Sequence, residues 1–155
     1  MKIVVIQEFD APAHGDAFVL DLRAMQPKDC TGCWSCWLNT PGRCAWHDLD
    51  DFYRAFLAAD QAHFYIRASR GFVSSSLKTL FDRMIPHYLP YITCKSGECM
   101  HEPRYERYPD VHVCYQGDFT SAEEQENFED YLRRVFYQFY VPNTTIEFLA
   151  EAVNV

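Results

Sequence analysis

Four cysteines fall within 15 consecutive residues and carry the clearest chemical signal in the sequence. Cys30, Cys33 and Cys36 are separated by two residues each, and Cys44 follows after seven more. Thiolates at this spacing in a loop can converge on one centre, as in sites that hold a [4Fe–4S] cluster. Four thiolates also suit a tetrahedral Zn²⁺ ion. A third interpretation is free or partly oxidised thiols that pack beside the tryptophans of the same loop. The spacing therefore predicts one ligand or redox site and leaves its occupant open.

The remaining cysteines give weaker signals. Cys94 and Cys99 form a second pair, which serves either in redox exchange or as incidental loop thiols. Cys114 lies within a predicted strand, and we expect it to be a small buried residue. An odd number of cysteines, seven, fits poorly with a complete set of disulfides. In a reducing compartment we therefore expect metal-binding, catalytic or buried thiols.

Length and charge narrow the class of protein. The chain has 155 residues, and we expect a single domain spanning residues 1–155. Its formal net charge of -8 argues against nucleic-acid and anionic-membrane partners, which require clustered Lys and Arg. No segment approaches the roughly 20 apolar residues of a transmembrane helix, and residues 1–6 are too short for a signal-peptide core. We therefore expect a cytoplasmic protein.

Strand and helix patterns alternate along the chain. Strands are predicted at residues 2–7, 17–23, 62–68, 111–116 and 144–149. Helices are predicted from an Asp48 cap to about residue 59, from residues 74–76 to Pro86, and over residues 120–140. Residues 87–109 are predicted to be irregular. The alternation indicates an α/β fold with a mostly parallel sheet built from βαβ units.

One face of this sheet is predicted to lack helices. Residues 8–16, between the first two strands, are too few for a crossover helix, and no helix follows the fifth strand. In the flavodoxin-like order of five strands, 2-1-3-4-5, both missing helices would cover the same face. Apolar and polar residues alternate in the third to fifth strands, as in sheets covered on one side. We expect helices mainly on one face, and a homo-oligomeric or heteromeric partner on the other.

Three segments together resemble the iron–sulfur flavoproteins, which belong with the NADPH-dependent FMN reductases of flavodoxin-like fold. They are KIVVI at residues 2–6, CTGCWSC…GRC followed by HDLDDF at residues 30–52, and GFVSSSLKTLFDR at residues 71–83. HEPRY at residues 101–105 is also similar to the His-x-x-Arg-Tyr segment that precedes the fourth strand in such proteins. The resemblance covers residues 1–6 and 17–120.

The resemblance implies FMN at the carboxyl ends of the strands, an adjacent cluster, and electron transfer or quinone and flavin reduction. In that picture Cys30, Cys33, Cys36 and Cys44 match the cluster ligands of the family. The loops along the flavin would be formed by Ser69, Arg70, Gly71, Phe72, Val73, Ser74, Gly117 and Asp118.

The segment after the first strand departs from the family pattern. Family members have a Ser/Thr/Gly-rich loop there that opens a helix, whose backbone N–H groups hold the FMN phosphate. Here residues 7–15 read QEFDAPAHG, in which Glu8 and Asp10 would repel a phosphate and Pro12 lacks an N–H donor. The phosphate loop, the first helix and the last helix of the family are thus expected to be missing.

Three functions remain open at this point. The first is a redox protein with a Cys-bound cluster and possibly FMN, in the manner of an NAD(P)H-dependent FMN reductase. The second is a non-catalytic binding or assembly subunit that keeps the fold without the cofactor. The third is a structural domain stabilised by zinc.

Overall fold

A computed structural model of the chain describes residues 1–150. Its strands are β1 (Ile3–Gln7), β2 (Phe18–Asp21), β3 (Gln61–Ser69), β4 (Phe72–Val73), β5 (Tyr88–Lys95), β6 (Glu98–Pro103), β7 (Asp110–Gln116) and β8 (Thr144–Phe148). Five of them form the central sheet in the order β2-β1-β3-β7-β8, with every pair parallel. The predicted α/β fold and the strand order 2-1-3-4-5 are confirmed.

Four helices connect these strands. They are α1 (Ser35–Leu38), α2 (Asp50–Ala58), α3 (Ser75–Asp82) and α4 (Ala122–Gln138). Ser74 and Ser121 cap α3 and α4, since each hydroxyl accepts a hydrogen bond from the backbone N–H three residues on. The predicted Asp48 cap of α2 is wrong, because Leu49 occupies the cap position and the Asp48 carboxylate binds Arg83 instead.

The three longer helices all pack on one face of the sheet. Their buried side chains belong to one apolar cluster with Val4, Ile6, Phe64, Ile66 and Val113 of the strands. In α4 the buried residues Phe128, Leu132 and Phe136 recur every four positions, which gives the helix a single apolar face. Burying these faces against the sheet is the main source of stability of the fold.

The opposite face carries a smaller cluster. Val5, Phe9 and Tyr65 are buried there, so the segment after β1 covers part of the face where a crossover helix would otherwise lie. Beside them His14, His63 and His112 follow one another across the sheet, with ring centroids 4.8 and 4.9 Å apart. This face is therefore partly covered by the chain's own loop, and a partner on it stays a prediction.

The prediction that residues 87–109 are irregular is wrong. Most of it forms an antiparallel hairpin, β5–β6, which lies outside the central sheet. The hairpin turns at Ser96 and Gly97, whose φ angles of 49° and 79° are those of a tight two-residue turn. Pro90 and the aromatic residues before it hid the strand pattern, whereas the Ser-Gly pair is a hairpin signal that sequence reasoning missed.

No helix within residues 1–150 is both long and apolar enough to cross a lipid bilayer.

Candidate functional site

The loop between β2 and α2 brings the four predicted cysteines to one cavity. The cavity has a volume of about 100 Å³ and is lined by Cys30, Cys33, Cys36 and Cys44. Cys36 is buried, Cys44 is half-buried, and the other two are exposed. None of these thiols forms a disulfide. All four cysteines thus line one cavity, and a ligand shared between them stays a prediction.

Aromatic rings form the walls of this cavity. Trp34, Trp37 and Trp46 all line it, and the Trp34 and Trp37 rings meet edge to face with centroids 5.6 Å apart. Two contacts from outside the cysteine loop hold Trp37 in place. Its indole N–H donates to the Tyr88 carbonyl at 2.9 Å, and its ring centroid lies 5.2 Å from that of His101. Trp34 and Trp46 are themselves 58% and 44% exposed, so these two walls are also in contact with solvent.

Arg83 anchors the loop that carries the cysteines. Its side chain is only 1% exposed, lines the cavity, and donates to the Lys28 carbonyl and to the Asp48 carboxylate, both at 2.5 Å. Burial acts to raise the pKa of Asp48, but the hydrogen bonds from Arg83 and from the Lys28 N–H hold it below its ordinary value. Breaking such a pair leaves an uncompensated charge, so Arg83 positions the loop strongly.

The thiols differ in how readily they ionise. The Ser35 backbone N–H and the Thr31 hydroxyl lower the pKa of Cys33. Burial raises the pKa of Cys36, and the charges of Cys44, Cys30 and Cys33 raise it further. This mutual effect arises because the sulfurs are close enough to repel one another as thiolates. A cation bound among these sulfurs would reduce that repulsion.

The arrangement is not that of a site for a single metal ion. In the described part of the chain, no three His, Cys, Asp or Glu side chains converge closely enough to hold one ion. Zinc requires its ligands at about 2.3 Å from one centre, so the structure does not support the zinc alternative. A cubane cluster is different, because each of its four irons takes one thiolate and the sulfurs stand further apart. Whether the four sulfurs of this cavity match that spacing stays a prediction.

The predicted flavin loops meet at the carboxyl ends of β3 and β7. Residues 69–74 form a tight hairpin in which Ser69 pairs with Phe72 and Arg70 and Gly71 have positive φ. Gly117 approaches this hairpin so closely that an added Cβ would lie 2.6 Å from the Ala68 carbonyl oxygen. Asp118 is exposed. The structure thus brings both segments to one edge of the sheet, but it does not test whether they bind a flavin.

The segment after β1 does not fit a phosphate. One carboxylate oxygen of Glu8 accepts from the Arg67 backbone N–H at 2.8 Å, and the other accepts from the Ser74 hydroxyl. Asp10 forms an ion pair with Arg23 at 2.8 Å. Donors that an anion would use at this edge are thus engaged by a carboxylate of the chain itself, in agreement with the repulsion expected from the sequence. We call this set of bonds the Glu8 clasp.

The HEPRY segment supports the cysteine loop. Arg104 donates to the carbonyls of Pro86 and Tyr88, and His101 donates through Nδ1 to the Leu89 carbonyl at 2.9 Å. These bonds hold the base of the β5–β6 hairpin against the residues that fix Trp37. The segment therefore acts on the site by positioning one of its walls.

Sequence reasoning missed two residues next to the cavity. Arg83 falls three positions after the buried Leu80, and an arginine on the apolar stripe of a helix is a signal that could have revealed it. His87 is fully buried, and neither of its ring nitrogens has a hydrogen-bond partner. Burial lowers the pKa of His87 to about 3, assisted by the charge of Arg104. No sequence pattern marked this histidine.

Comparison with known proteins supports the fold. No protein-family model matches the chain, and no curated protein matches it. Among solved structures, the azoreductase from Bacillus anthracis str. Sterne aligns over 96% of this chain and 86% of its own, with a TM-score of 0.64 and 13% identity. The azoreductase AzrA aligns over 97% and 87%, with a TM-score of 0.65 and 11% identity.

A third similar structure is the NAD(P)H:quinone oxidoreductase from Methanothermobacter marburgensis. It aligns over 99% of this chain and 88% of its own, with a TM-score of 0.65 and 17% identity. At such low identity, the likeness establishes the flavodoxin-like fold and nothing finer.

Proposed function

We propose that this chain is an electron-transfer protein of flavodoxin-like fold that carries an iron–sulfur cluster on Cys30, Cys33, Cys36 and Cys44. The observation that carries the proposal is the single cavity that all four thiols line. The activities named for two of its structural neighbours, an azoreductase and a quinone oxidoreductase, are both reductions of organic acceptors. A redox role for this chain agrees with them.

The residues around the cavity suit a cluster in charge. A bound cluster would supply single-electron transfer, and its potential depends on nearby charges, hydrogen bonds and burial. Arg83 provides a buried cation beside the four thiols, and the Ser35 N–H favours the thiolate form of Cys33. The four thiols would hold the group, and Arg83 would place a positive charge beside it.

FMN forms no part of this proposal in the isolated chain. The Glu8 clasp engages the Arg67 N–H and the Ser74 hydroxyl beside the end of β1, and its carboxylate would repel a phosphate there. The same clasp favours a second candidate, a cofactor-poor binding or assembly subunit of the same fold. The two candidates differ in whether the cysteine cavity takes up iron.

Anaerobic reconstitution tests the cluster. Purified chain is incubated with ferrous iron and sulfide under reducing conditions, desalted, and assayed for iron, sulfide, visible absorbance and the electron paramagnetic resonance signal after reduction. We expect about four irons and about four sulfides per chain, the composition of one [4Fe–4S] cluster. Cys36→Ser is expected to lose the cluster, whereas Cys114→Ser, a matched change outside the loop, is expected to keep it.

Two outcomes contradict the proposal. If wild-type chain retains no more iron than Cys36→Ser, the cavity does not bind a cluster and the subunit candidate is favoured. If it retains zinc with four thiolates and no iron, the electron-transfer role fails, because zinc has no redox chemistry.

A further inference from the structure

The tip of the β5–β6 hairpin presents a second pair of thiols. Cys94 and Cys99 lie directly opposite each other on the two strands, and their sulfurs are 3.6 Å apart. Both side chains are exposed. This pair is separate from the four cysteines of the cavity, and the proposed electron-transfer function does not use it.

The register of the hairpin suits a bond between these sulfurs. Lys95 and Glu98 close the two-residue turn, so the alternation of an antiparallel ladder makes Cys94 and Cys99 the next, non-hydrogen-bonded pair. Opposite residues at such positions have Cα atoms about 4.5 Å apart, which falls within the range of about 4.4–6.8 Å for disulfides. Neither strand would have to move far to form the bond.

Helix α4 and the residues just after it fix the tip of the hairpin. The Lys95 ammonium lies 4.7 Å from the centre of the Tyr140 ring. Glu98 forms an ion pair with Arg134 and accepts a hydrogen bond from the Gln138 amide at 2.7 Å. These contacts on both sides of the turn hold the register, so little conformational entropy is lost when the two thiols react.

We propose that Cys94 and Cys99 form a redox-active dithiol that reduces aliphatic disulfides by thiol–disulfide exchange. One of the two thiolates attacks one sulfur of the substrate disulfide, forms a mixed disulfide and releases the first thiol. The other cysteine then loses its proton, attacks the protein sulfur of the mixed disulfide and releases the second thiol. The products are one Cys94–Cys99 disulfide and two substrate thiols, so the two electrons given up by the protein are gained by the substrate.

The contact between the thiols suits the second attack. The two sulfurs lie 3.6 Å apart, and either can donate its hydrogen to the other. Whichever thiol reacts first therefore leaves its partner beside the mixed disulfide, in position to resolve it.

Peptide mapping tests the proposal on the full chain. Reduced protein is treated with oxidised glutathione, its remaining thiols are blocked by alkylation, and it is digested with trypsin. Trypsin cuts after Lys95, between the two cysteines, so a Cys94–Cys99 disulfide links peptides 84–95 and 96–104. We expect this linked pair to be the main product of both peptides, and to disappear on treatment with dithiothreitol.

Two variants check the resolving step, and one separates the two sites. Cys94→Ser is expected to lose the linked pair and to accumulate glutathione on Cys99, because the resolving thiol is gone. Cys99→Ser is expected to lose the linked pair and to accumulate glutathione on Cys94 for the same reason. Cys36→Ser is expected to form the linked pair as the wild type does, so failure of the cluster would leave this result unchanged.

The proposal is overturned if wild-type peptides 84–95 and 96–104 appear only as alkylated thiols or as separate glutathione adducts. It is also overturned if either cysteine is found mainly in disulfides with the cavity cysteines.

Discussion

The buried imidazole of His87 should make the stability of the fold depend on pH in a defined window. The ring is 0% exposed, neither nitrogen is bonded, and its pKa falls from 6.5 to about 3 in the folded chain. The unfolded chain therefore binds this proton at a higher pH than the folded chain does. The contribution of neutral His87 to the free energy of unfolding is therefore fully present above pH 6.5 and is lost as the pH falls towards 3.

The size of the effect follows from the interval that is crossed. Between an ordinary pKa of 6.5 and pH 5 there are 1.5 pH units, each worth about 1.4 kcal/mol, which gives a loss of about 2 kcal/mol. Aspartates contribute little in this window, because their ordinary pKa of 3.8 lies below it. His63, whose pKa is lowered to about 4 mainly by burial, adds a smaller loss of the same sign because its ring is partly exposed.

The test compares wild type with His87→Phe. Urea unfolding at pH 7 and pH 5 is followed by far-ultraviolet circular dichroism, because all three tryptophans lie in the cysteine loop and report on it alone. At pH 7 the variant is expected to be as stable as wild type or more so, since two unbonded nitrogens are removed from the core. Between pH 7 and pH 5 the variant is expected to lose about 2 kcal/mol less of its free energy of unfolding than wild type does.

A matched control separates titration from packing. Phe56 stacks on His87 with ring centroids 5.6 Å apart, so Phe56→Leu disturbs the same contact without removing a titrating group. It should lower stability at both pH values and keep the wild-type pH dependence. If His87→Phe lost as much stability as wild type between pH 7 and pH 5, the assignment of the proton to His87 would be wrong.

Two further predictions concern the residues that hold the candidate site. Arg83→Met is expected to lower the free energy of unfolding by about 3–5 kcal/mol and to reduce the iron retained after reconstitution, because Asp48 loses its buried partner. If the variant kept the wild-type free energy of unfolding and the wild-type iron content, the anchoring role of Arg83 would be refuted. Glu8→Ala is expected to lower the free energy of unfolding, measured in urea, by about 1–3 kcal/mol. FMN should raise the melting temperature of this variant more than that of wild type, and Glu8→Gln serves as the control. Equal stabilisation of wild type by FMN would show that Glu8 does not exclude the phosphate.

The sequence predicted the central sheet well because the dominant signals were local. The apolar run of β1 and the four-residue period of α4 each reflect burial against a single face. The absence of a crossover helix between the first two strands was also predictable, since only nine residues, 8–16, separate the predicted strands. Such features depend on length and pattern alone.

Features set by distant contacts were not predictable in the same way. Asp48 has the residue type of a helix cap, but the buried guanidinium of Arg83, 35 residues away, takes its carboxylate. The strand pattern of the β5–β6 hairpin is weak, and its tip depends on contacts with α4 near Gln138. The four cysteines line one cavity, but the buried cation of Arg83 beside them was evident only from the tertiary structure.

The Glu8 clasp has a consequence for how this fold responds to its surroundings. An anion bound from solution stabilises a protein only in proportion to its concentration relative to its dissociation constant. A carboxylate tethered to the chain is present at a fixed effective concentration and cannot be diluted or competed away by dialysis. The edge of the sheet where β1 meets β3 therefore carries its own anion in the folded chain, and a small anion from the medium must displace that carboxylate in order to bind there.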